Sequence, residues 1–303
     1  MNRRTTAVIV TGAVAAVTCL AGCGSGSGSS TADSSAAAAA TSKVSKDAAL
    51  AAKLPAEVRK AGVIRVASDE TYPPFESQKS GKTVGLDPDL AEAIGKVLGV
   101  RMEFVNTSFD AIIPSLTANK VDMAMSSIGD TKEREKTIDM ATYYWNGSLV
   151  LVKKGNPKKV KADETCGARV GVVRGSLQQT DFLPAQASKC KSQGKPVPVV
   201  SIYQNSPQAQ LALQSGRIDG VMADAPPLVT VAAEQSQIFE TAGPLVRNPN
   251  PGGVAFPKGS QLVEPVNGAL NVLIKNGTYK AILKRWNLQS IAIDQSEING
   301  ARS

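Results

Sequence analysis

The stretch SSIGDTKERE at 126–135 gathers groups that hold small anions. Ser126, Ser127 and Thr131 supply hydroxyls, Gly129 leaves a backbone amide uncovered, and Arg134 carries a planar guanidinium that grips a carboxylate through two hydrogen bonds. Asp224, in GVMADAPPL, follows an apolar run and precedes two prolines, a place from which a carboxylate meets an ammonium. In ASDETYPPFES at 67–77, Asp69 again follows an apolar run, and Tyr72 and the more distant Phe109 offer flat faces for an aliphatic chain or a cation. In VRGSLQQTDF, Gly175 and Ser176 present an amide and a hydroxyl at a helix start, next to Arg174. The set complements something small and zwitterionic. Each member also has a plainer reading: Arg134 as a helix-surface arginine paired with Glu133 or Glu135, Asp224 as a helix cap, the two rings as core.

Other chemistry is excluded by composition. The 303 residues include no histidine, which removes Ser-His nucleophiles and His-based metal sites. Arg3 and Arg4 precede the apolar run Ala7 to Leu20, which ends in Leu20-Ala-Gly-Cys23 and GSGSGSS. That run is short for a membrane span and reads as an export signal over 1–22. Leu-Ala-Gly-Cys resembles the bacterial lipobox, which implies cleavage before Cys23 and acylation of its thiol. Of four cysteines, Cys19 leaves with the signal and Cys23 carries lipid. Cys166 and Cys190 remain in an oxidising compartment, and two thiols are too few for a structural zinc, so a disulfide is expected. Loss of Arg3 and Arg4 lowers the formal charge of +8 by two, to +6. No dense Lys/Arg block is interleaved with aromatics, so no nucleic acid is expected.

The elements that position these groups alternate along the chain. Residues 23–50 carry the lipidated cysteine and a Gly/Ser/Ala/Thr-rich flexible tether. A helical pattern broken near Pro55 leads into VIRVAS, and short apolar runs then alternate with helical ones, which is α/β. Leu116-Thr-Ala-Asn-Lys-Val-Asp122 is matched 97 residues later by Leu213-Gln-Ser-Gly-Arg-Ile-Asp219. Both read as helix, turn and strand, with Asn119 and Gly216 suited to a left-handed helix terminus. Two similar α/β lobes are expected: 55–150 plus 245–303, and 151–244. Residues 147–157 and 240–256 are the candidate crossings of a hinge. Loops at the strand ends then face a shared cleft.

In order and spacing, DETYPPFE, GLDPDLAEAIGKVLG, FDAIIPSLTANKVDMAMSSIGDTKERE, RVGVVRGS and GRIDGVMAD resemble the bacterial solute-binding proteins of family 3 over roughly residues 60–290. These are the polar amino acid-binding components of ABC importers, here in lipid-anchored form. The resemblance implies a bilobal type II periplasmic-binding-protein fold with a two-strand hinge, held at the outer face of the cell membrane. Carried over by motif, Arg134 binds the ligand's α-carboxylate with Ser176 and groups near Ser127, and Asp224 binds the α-ammonium with Ser127. Asp69, Tyr72 and Phe109 line the side-chain pocket, which Val173 and Arg174 approach from the other lobe. Gly129 and Leu177 replace hydroxyl residues common among relatives, so at 129 only the amide remains.

The expected ligand is a small polar amino acid, basic or neutral polar. Asp69, Glu70 and Asp130 favour a basic side chain, Arg174 an acidic or amide one. The expected partners are a permease and its ATPase subunit; the chain itself has no G-x-x-x-x-G-K-[ST] loop. No catalytic residue, metal or cofactor is expected. The rivals are a ligand-sensing accessory of a receptor and a dehydratase-like enzyme, in which Glu70 or Asp130 would be a general acid.

Overall fold

A computed structural model describes residues 39–303; the expected signal 1–22 and Cys23 lie outside them. VIRVAS forms β1 (Val63–Ser68), followed by the short strands β2 (Thr71–Tyr72), β3 (Glu76–Lys79) and β4 (Lys82–Val84), which make a small sheet of their own. Then come β5 (Arg101–Asn106), β6 (Met123–Gly129), β7 (Ile138–Tyr144), β8 (Gly147–Lys153), β9 (Arg169–Val173), β10 (Val199–Tyr203), β11 (Gly220–Asp224), β12 (Phe239–Arg247) and β13 (Gly252–Pro257).

Two five-stranded sheets follow the same plan. In the first, ordered β5-β1-β6-β13-β7, β1 runs parallel to β5 and β6, and β13 lies antiparallel between β6 and β7. In the second, ordered β10-β9-β11-β8-β12, β9 runs parallel to β10 and β11, and β8 lies antiparallel between β11 and β12. The sequence repeat falls at equivalent places in both. Asn119 (φ 52°) and Gly216 (φ 77°) take the left-handed turn that ends a helix, and an aspartate then reaches back to the first strand of its sheet. Asp122 accepts from the backbone N–H of Arg65 (2.7 Å) and its guanidinium (2.7 and 3.1 Å). Asp219 does the same for Arg169 (2.9 Å to the N–H, 2.7 and 3.1 Å to the guanidinium).

The chain changes sheets at residues 145–146 and again at 248–251. The limits expected at 150/151 and 244/245 therefore move outward, because β8 pairs with β11 and β12 from its first residues and β12 stays in the second sheet to Arg247. The tether also ends earlier than residue 50. Asp47 caps the helix Ala48–Ala52, its N–H donates to Val97 O (2.8 Å), and Val44 and Leu50 pack on the first lobe's core. Apolar side chains at this spacing bury against the helices Leu86–Leu98 and Val263–Lys275 instead of staying solvated. The large core of the first lobe includes Phe75, Tyr143, Phe256 and Tyr279, all fully buried. The second lobe holds smaller clusters around Val221, Leu228 and Phe239 and around Val170 and Leu183, and a Cys166–Cys190 disulfide closes its loop.

Residues 297–303 complete the edge of the first sheet. Asn299 exchanges bonds with Met140, Glu297 with Thr142, and Asn250 in the second crossing holds the backbone of Arg302 and Ser303.

Candidate functional site

The ends of β1, β6, β9 and β11 converge on a cleft of about 640 Å³, counting its open mouth, between the two sheets. At the end of β6, Ser127 adopts a left-handed φ of 48°, and the chain turns at Gly129 into Thr131, whose hydroxyl accepts from Arg134 N–H (3.1 Å). That cap starts the short helix Lys132–Glu135 and sends Arg134 back over the strand end. Its Nη1 donates to Gly129 O (2.6 Å) and its Nη2 crosses to Gly175 O on the other lobe (2.9 Å). Glu133 and Glu135 pair instead with Lys136 and Lys132, so Arg134 is not the surface ion pair of the plainer reading. Arg134 as a whole is half-buried, yet its guanidinium is enclosed, and burial draws its pKa down against the upward pull of Tyr144, Asp181 and Asp224.

Asp224 stands across from it at the start of the helix Ala225–Glu234 without capping that helix through its side chain. One carboxylate oxygen accepts from Ser127 Oγ of the opposite lobe (3.0 Å), and the other from Gln178 Nε2 (2.9 Å). Its backbone N–H donates to the Tyr72 hydroxyl (3.1 Å), again across the lobes. Burial raises the Asp224 pKa, and the bonds from Gln178, Ser127 and Tyr72 work against that rise. Tyr72 packs against both lobes' cores, which places its ring at the seam.

Asp69 follows β1. Its carboxylate accepts from Thr71 Oγ1 (2.6 Å) and from Phe109 N–H (3.2 Å), and its own N–H donates to Ser126 Oγ (3.0 Å). Burial raises its pKa, and the bonds from Thr71 and Phe109 work against that rise. Beneath the two serines lies a buried carboxyl pair. Ser126 Oγ donates to Glu76 (2.9 Å), while Asp87 accepts from Tyr143 OH (2.6 Å) and from Ser127 N–H (3.4 Å). Burial pushes both carboxyls up, Glu76 further under the charge of Asp87, and through Ser126 and Ser127 the pair braces the turn.

Of the expected residues, Asp69, Tyr72, Phe109, Ser127, Gly129, Arg134, Ser176 and Asp224 line this cleft. Arg174 does not: its side chain is 53% exposed and faces Asp110 at 3.8 Å. Glu70 is likewise turned away, accepting from Gln78 and Thr83, and Asp130 is spent on Ala301 N–H (3.1 Å). Val173 and Asp69 line the cleft, while Arg174 and Glu70 lie in the turns that follow them, past the ends of β9 and β1. Gln178, Leu177, Tyr144 and Asn248 also line the cleft and were not anticipated there as ligand contacts. Gln178 opens the turn Gln178–Phe182, beyond the end of β9, and its amide reaches Ser148 and Asp224.

Residues 64–289 match the family model of the bacterial extracellular solute-binding proteins, family 3. The putative ABC transporter arginine-binding protein 2 of Escherichia coli K12 is 35% identical over 246 residues, covering 79% of this chain and 96% of that one. The arginine-binding protein ArgT of Corynebacterium glutamicum is 28% identical over 250 residues, 82% of each. Among solved structures, an ancestral arginine-binding protein bound to arginine superposes with a TM-score of 0.67 at 35% identity, over 74% of this chain and 98% of that one. With its two matching lobes and the cleft between them, the chain belongs to the bacterial extracellular solute-binding proteins, family 3.

Proposed function

We propose that the protein captures an L-amino acid with a basic side chain, arginine foremost, outside the cytoplasm and delivers it to the permease of an ABC importer. The charge balance of the cleft carries this reading. Arg134 and Asp224 suit the carboxylate and ammonium that every amino acid has, and Asp69 then remains as a second carboxylate beside Tyr72 and Phe109. A guanidinium or ammonium there relieves the burial of Asp69 and lies against the rings. The arginine-binding relatives agree with this choice.

Capture proceeds by closure of the lobes without a covalent step. Tyr72, Ser127 and Arg134 on one lobe and Gly175 and Asp224 on the other already meet across the cleft, and excluding water strengthens the charged bonds to a bound zwitterion. Attachment of the mature chain to the membrane through lipid on Cys23 completes the proposal, supported by Arg3, Arg4, the apolar run and Leu-Ala-Gly-Cys.

Thermal unfolding of the protein from residue 24 onward, with each of the twenty L-amino acids, tests the ligand. A ligand that binds only the folded state raises the midpoint. The expected result is the largest rise with arginine, a smaller one with lysine or histidine and none with glutamate; no rise with any amino acid overturns the reading.

A further inference from the structure

Gly129 and Leu177 stand on opposite lobes and meet at the wall of the cleft. Backbone freedom does not explain the glycine, since Gly129 lies outside the left-handed region. What a side chain there would meet does explain it: a Cβ would lie 2.4 Å from Leu177 Cδ1, well inside contact distance. Leu177 is only 9% exposed, so the leucine fills the space that the glycine leaves. The same spot is where Arg134 bridges the lobes, through Gly129 O and Gly175 O.

We propose that Leu177 seats in the Gly129 notch as a knob that sets how far the lobes close and seals the Arg134 guanidinium from water. On this view the two residues position the ligand without hydrogen-bonding to it. The fit is steric: one methylene too many on either side holds the lobes apart, and one too few lets water reach the charged bonds. The proposal rests on ligand capture by lobe closure.

The test is the Kd for L-arginine by calorimetry, with the contraction on binding followed by small-angle scattering. The proteins are wild type, Gly129→Ala, Leu177→Phe, Leu177→Ala and Gly129→Ala/Leu177→Ala. Gly129→Ala and Leu177→Phe are each expected to weaken binding about ten- to a hundredfold and to reduce the contraction. In the double variant the alanine Cβ faces a trimmed partner, so its affinity should return to within about threefold of Leu177→Ala. Wild-type affinity in either Gly129→Ala or Leu177→Phe overturns the proposal, as does a double variant whose losses simply multiply. Wild type that binds no amino acid overturns the capture reading itself, which is a different result from wild type that binds while Gly129→Ala binds equally well.

Discussion

Arg65 and Asp122 in the first lobe, and Arg169 and Asp219 in the second, form the same clamp between the first strand and the helix-to-strand turn. The lobes differ in what they bury. The first holds Asp69, Glu70, Glu76, Asp87, Asp130 and Asp139 out of water; among the described residues of the second, Ser148, Thr165, Gln178 and Ser206 are as deeply buried and neutral, and Asp224 at the cleft is the carboxylate whose pKa burial raises. Their edges differ too: β5 carries Arg101 and Glu103, whereas β10 exposes Val199, Val200 and Ile202. The frame is therefore duplicated while the electrostatics are not. Most buried carboxyls lie in the lobe that supplies Arg134 and the serine turn, so the pH response of stability concentrates there.

The sharpest test of this division asks whether both lobes are needed to hold the ligand. Arg134→Ala and Asp224→Ala, one from each lobe, should each weaken L-arginine binding by about a hundredfold or more in calorimetry, since each removes one end of a buried charge pair. A variant that binds within tenfold of wild type would show that its lobe contributes shape alone.

Next in size is the pH response. Burial, with the nearby Glu135 carboxylate, pushes the Asp130 pKa up to about 7, above the roughly 3.9 of an unfolded aspartate. Between those values the folded chain holds a proton that the unfolded chain has released. This contribution is fully present below about pH 4 and is lost as pH rises through about 7, at up to ~1.4 kcal/mol per pH unit. Asp130→Asn should flatten the fall in stability between about pH 4 and 7, measured by urea unfolding. An unchanged slope would separate Asp130 from the response.

The smallest effect probes the shared clamp. Asp122→Ala and Asp219→Ala should each cost about 1–2 kcal/mol, and by similar amounts, because each frees an Arg backbone N–H and breaks a partly exposed ion pair. The bonds to Arg65 hold the Asp122 pKa below its usual value despite burial, and those to Arg169 do the same for Asp219. The clamps' contribution is thus present above about pH 4 and lost as pH falls through the depressed values. A twofold difference between the two costs would mark the clamps as alike in geometry only.

Much of this frame was legible in residue order. A left-handed residue, Asn119 or Gly216, followed three residues later by Asp signals a helix end and strand start, so the repeat marks equivalent units in the sequence itself. Strand ends also marked Asp69, Ser127 and Asp224, because an apolar run followed by a polar residue is local information. What failed to read was direction and long-range docking. Arg174 and Glu70 each follow a cleft-lining residue but sit in turns, where no strand or helix period fixes the direction of a side chain. The seating of 44–54 and of 297–303 on the first lobe depends largely on backbone bonds and scattered apolar contacts, which leave no period in the sequence.

The order of the strands carries one more consequence, for assembly. Residues 147–247 are continuous, and their two ends lie side by side, Gly147 paired with Arg247. The first sheet is interrupted by this whole segment, and its β13 belongs in the middle, between β6 and β7. During synthesis the second lobe thus has all its strands about ten residues before the first lobe can close its sheet. The lobe that begins first is the one that must wait, with β6 and β7 unpaired to each other, for a strand made after its neighbour is complete.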